Sequence, residues 1–128
     1  MYTAQHILQA HKAGAPALGA LGVDEVGRGA GAGPVLVCAA RLRPGVRSCD
    51  LPTDLTDSKK LTRSQRERIA DRLTGLVAYA LMARSNRAID GAGIRATTLY
   101  AMTAAADRLD PSGQCGIVVD GRVLVGPN

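Results

Sequence analysis

The most informative segment of the sequence is LGVDEVGRGAGAGPVLVCAARL, residues 21–42. It contains two apolar runs on either side of a glycine-rich segment at residues 27–33. The first run predicts a strand over residues 21–26, and Pro34 opens a second strand that runs to residue 42. Because the apolar residues after Pro34 are continuous rather than alternating, we expect the second strand to be buried on both faces. The stretch therefore predicts two strands of a sheet joined by a glycine-rich connection.

The rest of the chain adds helices and two further strands. Thr62 and Gln65 have the spacing of a capping box, which predicts a helix over residues 62–73. A second helix is predicted over residues 90–109, with a first turn weakened by glycine. The remaining predicted elements are a short helix over residues 3–11 and strands over residues 76–83 and 115–119. This order predicts an α/β fold in which helices flank a mixed β-sheet.

The composition bounds the class of protein. The chain has 128 residues, of which 46% are hydrophobic, so we expect one globular unit with its own core. It has no Phe and no Trp, so a row of stacked aromatic rings cannot carry nucleic-acid binding. Lys and Arg number 16 against 11 Asp and Glu, and the net charge of +5 favours an anionic partner such as nucleic acid. A solvated basic surface without a ligand explains the charge equally well.

The cysteines and the N-terminus indicate a reducing compartment. Cys38, Cys49 and Cys115 form no C-x-x-C pair, and neither His6 nor His11 lies near one, which argues against a zinc site. Scattered thiols in apolar runs are typical of proteins whose cysteines stay reduced. The sequence has neither a leader pattern nor an apolar run of membrane-spanning length, so we expect a cytoplasmic protein with no membrane association.

Three carboxylates stand where apolar strands are predicted to end. Asp24 and Glu25 are adjacent, so they repel each other and would point to opposite faces of a regular strand. They can reach one site only if the backbone bends, which Gly27 permits, and a divalent cation would offset their repulsion. Asp120 follows the apolar run at residues 116–119, where α/β proteins place active-site carboxylates. Taken singly, each is also explained as a solvated residue at a strand end.

A basic segment lies just before the helix predicted at Thr62. It consists of Asp57, Ser58, Lys59 and Lys60. The two lysines could bind phosphates, together with the Ser58 hydroxyl and the backbone N–H groups at the start of the helix. An exposed loop with a charged face explains the same residues without any ligand.

Taken together, these segments resemble ribonuclease HII. The resemblance rests on GVDEVGRG at residues 22–29, AGPV at 32–35, DSKKL at 57–61 and VDG at 119–121. Ile89-Asp90 and the apolar residues that follow are similar to the family's next helix. Residues before 21 carry no such signal. We therefore expect an N-terminal extension over residues 1–20 and an incomplete ribonuclease H-like catalytic domain over residues 21–128.

The resemblance implies a ribonuclease H-like fold and a set of functional residues. Asp24, Glu25 and Asp120 would be catalytic residues that bind Mg²⁺ or Mn²⁺. Gly27, Arg28 and Gly29 would form the loop that senses the ribose 2′-hydroxyl. Lys59 or Lys60 would lie along the nucleic-acid phosphates, with Ser58 in the same substrate-binding set.

The activity implied is two-metal hydrolysis of RNA in RNA–DNA hybrids and at ribonucleotides embedded in duplex DNA. The products would carry 5′-phosphate and 3′-hydroxyl ends. By the same resemblance, we expect a monomer that serves DNA replication and repair.

The sequence departs from the family pattern at three points. Ala30-Gly31 replaces the usual Pro-Leu, which loosens a loop that should hold its shape. Gly93 stands where the family usually has Asn, which weakens the match of that helix. No Asp or Glu follows Asp120, so the family's fourth carboxylate has no counterpart, and neither Tyr79 nor Tyr100 matches its substrate-sensing tyrosine. We therefore expect a chain that lacks its C-terminal part and is a poor or inactive enzyme.

Two other functions compete with this interpretation. A nucleotide-binding α/β domain is suggested by glycines after a strand, but it needs a helix directly after them, and residues 34–37 predict a strand. A non-catalytic nucleic-acid-binding fragment would hold DNA by charge alone, with salt-sensitive and metal-independent affinity.

Overall fold

Strands and helices alternate along the part of the chain that the computed structural model describes, residues 20–26, 33–56, 58–112 and 116–119. The strands are β1 (Ala20–Val26), β2 (Val35–Leu42), β3 (Val77–Arg84) and β4 (Gly116–Val119). The helices are α1 (Arg63–Leu73), α2 (Asn86–Ala92) and α3 (Ile94–Leu109), and single 3₁₀ turns occupy Ser48–Asp50 and Ser58–Lys60. This order confirms the predicted α/β fold.

The four strands form one mixed sheet in the order β3-β2-β1-β4. β1 and β2 are antiparallel, with Val26 opposite Leu36 at the end of the ladder. β1 and β4 are parallel, with Val23 opposite Val119. The Arg43 N–H donates to the Leu76 carbonyl at 2.9 Å, which joins the end of β2 to the residue before β3. β3 therefore runs antiparallel to β2 and in the same direction as β1.

The chain divides into two compact units. One is Leu42–Ala78, called here the loop–helix unit; the other, the sheet unit, holds the residues up to Arg41 and from Tyr79 onward. The core of the sheet unit joins side chains of β1 and β2 to one side of α3. Its buried members are Leu21, Val23, Val37, Ala39, Leu99, Ala101, Met102, Ala105 and Ala106.

The second strand is not buried on both faces. Val35, Val37 and Ala39 are fully buried, but Leu36 between them is 36% exposed. Within the described residues, the helix that packs on the core covers the face of Val37 and Ala39. The continuous apolar run therefore predicted the strand correctly and its burial wrongly.

The helix predicted over residues 90–109 is two helices. α2 begins after Ser85, whose Oγ accepts a hydrogen bond from the Ala88 N–H at 3.3 Å. Gly93 separates α2 from α3 with φ +88° and ψ 154°. That backbone region is essentially restricted to glycine, so the chain changes direction there even though the apolar periodicity continues.

The helix α1 has the predicted start. The Gln65 N–H donates to Thr62 Oγ1 at 3.2 Å, and the Thr62 N–H donates to Gln65 Oε1 at 2.8 Å, which confirms the capping box. The predicted helix at residues 3–11 lies outside the described residues. Among the described residues, every helix is too short or too polar to cross a lipid bilayer.

Candidate active site

The two adjacent carboxylates lie within the first strand rather than beyond its end. β1 continues to Val26, and both acids are in register with β2, Asp24 opposite Cys38 and Glu25 opposite Val37. Val23 is buried, Asp24 is exposed and Glu25 is partly buried, as expected when successive side chains point to opposite faces. The strand therefore does not itself bring the two carboxylates to one face. The bend predicted at Gly27 lies outside the described residues.

Asp24 imposes a negative charge on its own face of the sheet. Its Oδ1 atom accepts a hydrogen bond from the Glu25 N–H at 2.8 Å. Burial, and to a lesser degree the negative charge of Asp24, raises the pKa of the Cys38 thiol on the neighbouring strand. The field of the carboxylate therefore reaches the neighbouring strand, where a cation would be favoured and a second anion disfavoured.

Glu25 shares the core side of β1 with Leu21 and Val23. Its Oε2 atom is buried. Removing a carboxylate oxygen from water disfavours the ionised form unless positive charge or hydrogen bonds compensate. A divalent cation is one group that can offset this cost at a carboxylate. Carboxylate oxygens are also the ligands that Mg²⁺ and Mn²⁺ prefer, so the donors present fit either ion.

The third predicted carboxylate follows the strand next to β1. Because β1 and β4 are parallel and Val23 pairs with Val119, the two strands run side by side in the same direction. Asp24 follows Val23 in the sequence, and Asp120 follows Val119. Asp120 itself lies outside the described residues, so its position remains a prediction. Among the described residues, no three His, Cys, Asp or Glu side chains group closely enough to hold a metal ion.

The predicted phosphate-binding residues form a single 3₁₀ turn in the loop–helix unit. Ser58, Lys59 and Lys60 are all exposed. The Leu61 N–H donates to the Ser58 carbonyl at 3.2 Å, and Arg66 Nη1 donates to the Leu61 carbonyl at 2.8 Å, which ties the turn to α1. The turn is thus anchored by one backbone hydrogen bond and by the Arg66 side chain, while its lysines are exposed. Gly27, Arg28 and Gly29 lie outside the described residues.

Two features of the sheet unit went unnoticed at the level of sequence. Cys38 lies opposite Asp24, but strand register cannot be read from one apolar run. Arg84, at the end of β3, has its guanidinium carbon 4.7 Å from the centre of the Tyr100 ring. The two residues are far apart along the chain, and no local pattern pairs them.

The sequence of this chain is similar to those of several known proteins. The family model described as ribonuclease HII matches residues 21–125. The ribonuclease HII of Ruegeria pomeroyi is 39% identical over 103 residues, which are 80% of this chain and 42% of that protein. The ribonuclease HII of Streptomyces avermitilis is 44% identical over 102 residues, 79% of this chain and 42% of that protein.

A third relative gives the same result. The ribonuclease HII of Macrococcus caseolyticus is 43% identical over 88 residues, 69% of this chain and 32% of that protein. The chain therefore spans less than half the length of the curated relatives that it matches. The α/β fold with its mixed sheet agrees with the ribonuclease H-like fold implied by the motifs. The matched region includes every predicted site residue, and this chain belongs to the ribonuclease HII family.

Proposed function

We propose that this protein is a metal-dependent endonuclease that hydrolyses RNA paired with DNA and single ribonucleotides embedded in duplex DNA. The observation that supports the proposal most is the parallel register of β1 and β4, with Val23 opposite Val119. In the sequence, a carboxylate follows each member of that pair. Side-by-side strands that run in the same direction are where an α/β fold gathers acidic ligands for a metal ion.

In this proposal Asp24, Glu25 and Asp120 hold Mg²⁺ or Mn²⁺. When bound, such ions activate a water molecule and stabilise the leaving oxygen of the phosphodiester. The carboxylates fix the ions, and the burial of Glu25 Oε2 limits the water that competes for that atom. Hydrolysis would leave 5′-phosphate and 3′-hydroxyl ends. The chain would act in the cytoplasm as a monomer, in DNA replication and repair, with residues 1–20 outside the catalytic domain.

The remaining predicted residues would select and position the substrate. Gly27, Arg28 and Gly29 would contact the ribose 2′-hydroxyl, the group by which a protein distinguishes RNA from DNA at a given position. Lys59 and Lys60, both exposed, would contact backbone phosphates together with Ser58. Phosphate contacts orient the duplex and carry no sequence information, which suits an enzyme that recognises a sugar rather than a base.

The metal is tested by thermal unfolding with and without Mn²⁺. We expect Mn²⁺ to raise the melting temperature of the wild type and to raise that of Asp24→Asn much less, because ligand binding to the native state stabilises it. Asp71→Asn is the matched control, since Asp71 is an exposed acid of α1. Equal Mn²⁺ shifts for the wild type and Asp24→Asn would contradict the metal site.

The substrate is tested with duplexes that differ by a single 2′-hydroxyl. A version of the chain extended with the remaining segment of its relatives should cut a DNA duplex that contains one ribonucleotide and spare the all-DNA duplex. Equal cleavage of both duplexes would instead indicate a general nuclease.

A second candidate is metal-independent binding of nucleic acid. It is favoured by the exposed lysines of the Ser58–Lys60 turn. In that case affinity for a hybrid would fall with salt and would not respond to Mn²⁺ or to Asp24→Asn.

A further inference from the structure

Arg84, the last residue of β3, makes a side-chain contact that has no part in the proposed hydrolysis. Its guanidinium carbon lies 4.7 Å from the centre of the Tyr100 ring of α3. A guanidinium over an aromatic ring is attracted to the ring face, and the contact restrains an otherwise mobile side chain. Tyr100 is 58% exposed, so the pair lies at the protein surface.

The restrained guanidinium has no oxygen acceptor within the described part of the chain. Its Nε atom is buried and makes no hydrogen bond there. None of the ion pairs formed by described residues includes Arg84. A buried donor that lacks an acceptor is unfavourable, so its presence in a folded protein calls for an explanation. An anionic oxygen supplied from outside is the acceptor that a planar guanidinium binds best.

The position of Arg84 relates it to the candidate active site. β1 and β3 run in the same direction on either side of β2. The carboxyl ends of both strands therefore lie at the same end of the sheet, which places Arg84 at the end where Asp24 and Glu25 lie. Two strand spacings separate β3 from β1 by roughly 10 Å. That distance is about three nucleotides along a strand with a rise of about 3.4 Å each. A nucleic-acid strand that crosses this end of the sheet from the carboxylates towards β3 would pass Arg84 at about that spacing.

The helices that follow β3 in the chain carry further positive charge. Arg87 of α2 and Arg95 in the first turn of α3 are both exposed, and Asp90 is the exposed acid between them. Residues 84–95 thus carry three arginines against one acid, a local excess of positive charge that favours an anionic partner such as a backbone phosphate.

We propose that Arg84, restrained by the Tyr100 ring, binds a backbone phosphate of the substrate a few nucleotides from the site of cleavage. The inference rests on the proposed function, because the strand it binds is the one that the carboxylates act on. Arg84 is a positioning residue: it touches the substrate away from the reacting atoms.

The test is the affinity of the 128-residue chain for a fluorescent RNA–DNA hybrid, measured by anisotropy over a range of salt concentrations in EDTA to prevent cleavage. We expect Arg84→Gln to weaken binding about fivefold to tenfold and to reduce the slope of log K against log salt by about 0.9. Arg84→Lys should retain the slope with weaker binding, because lysine keeps the charge without the planar fork. Tyr100→Phe should resemble the wild type, and Tyr100→Leu should bind about threefold less tightly.

Arg108→Gln is the charge-matched control, since Arg108 is an exposed arginine in the last turn of α3, the helix that contains Tyr100. Equal losses for Arg84→Gln and Arg108→Gln would overturn the inference, because bulk charge alone would then explain them. If Arg84→Gln bound the hybrid with the affinity and salt slope of the wild type, the inference would be overturned and the proposed function would stand. If its melting temperature were also lowered, the acceptor of Arg84 would lie inside the protein. A wild type that binds no hybrid would overturn this inference together with the proposed function.

Discussion

The two compact units of the chain are stabilised by different kinds of interaction. In the sheet unit, Leu21, Val37 and Met102 are fully buried, and apolar packing dominates. In the loop–helix unit Ile69 is buried, and the polar contacts at its surface include the capping box at Thr62 and the ion pairs of Arg68 and Arg72 with Asp54, both at 3.5 Å. Exposed ion pairs contribute little, whereas burial of large apolar side chains contributes much.

This difference matches the demands of the proposed chemistry. Metal-binding carboxylates need a rigid frame, and Asp24 and Glu25 lie on a strand whose neighbours Leu21 and Val23 are buried. Phosphate contacts need only charge within reach, and Lys59 and Lys60 lie on an exposed turn. Substitutions in the two units should therefore differ in size in a predictable way.

The largest effect is expected for Met102→Ala in α3. Met102 is fully buried in the core of the sheet unit, and truncating such a side chain removes apolar contacts and leaves a cavity. We expect a loss of about 2–5 kcal/mol in the free energy of unfolding, measured by urea denaturation. Leu55→Ala in the loop–helix unit is the control, since Leu55 is 41% exposed and its truncation should cost about 1 kcal/mol or less. Similar losses at the two positions would contradict the comparison.

Next in size is Gly93→Ala, which tests the break between α2 and α3. Gly93 has φ +88°, which an alanine rarely adopts, so we expect a loss of about 1–3 kcal/mol. Gly91→Ala is the matched control, because Gly91 lies within α2 with open space at its Cβ position. There alanine should be neutral or stabilise by up to about 1 kcal/mol. A stabilised Gly93→Ala would mean that residues 86–109 form one continuous helix.

Local signals in the sequence predicted the elements well, and contacts between distant residues were not predictable. The capping box located the start of α1 because its two partners are three residues apart. The alternation on β2 was missed because a continuous apolar run does not reveal which face a helix will cover. The pairing of Asp24 with Cys38 depends on strand register, which a continuous apolar run without alternation does not specify.

For the candidate site, too, local motifs were informative and contacts between distant residues were not. Motif spacing selected Asp24, Glu25 and the Ser58–Lys60 turn, and the family match covers all of them. Whether two adjacent acids on a regular strand can serve one ion depends on the backbone after Val26, which no local propensity specifies. Arg84 went unnoticed because its partner Tyr100 lies sixteen residues away, on another element.

A smaller loss is expected for Thr62→Ala in the loop–helix unit. The substitution removes the oxygen that accepts the Gln65 N–H, so we expect a cost of about 1 kcal/mol in the free energy of unfolding. Thr62→Ser keeps that oxygen and should restore most of the stability, which separates the capping bond from other effects at this position. If serine and alanine were equally destabilising, the capping bond would not be the cause.

The smallest effect on stability is expected for Asp24→Asn, which should instead change the chemistry of its neighbour. Asn can keep the oxygen that accepts the Glu25 N–H, and Asp24 is exposed, so the metal-free melting temperature should barely change. The pKa of the Cys38 thiol is raised by burial and by the negative charge of Asp24. Removing that charge leaves burial alone, so the pKa falls and more thiolate is present at a given pH.

Because the thiolate is the reactive form, alkylation of Cys38 should be faster in Asp24→Asn than in the wild type at the same pH. The rate is followed by mass spectrometry of the peptide that contains Cys38, and the exposed Cys49 of the loop–helix unit serves as an internal reference that should not respond. Asp71→Asn, which removes an equal charge from α1, should leave the Cys38 rate unchanged. Unchanged Cys38 reactivity in Asp24→Asn would show that the Asp24 carboxylate does not affect the neighbouring strand. The argument that its charge favours a cation beside β1 would then fail.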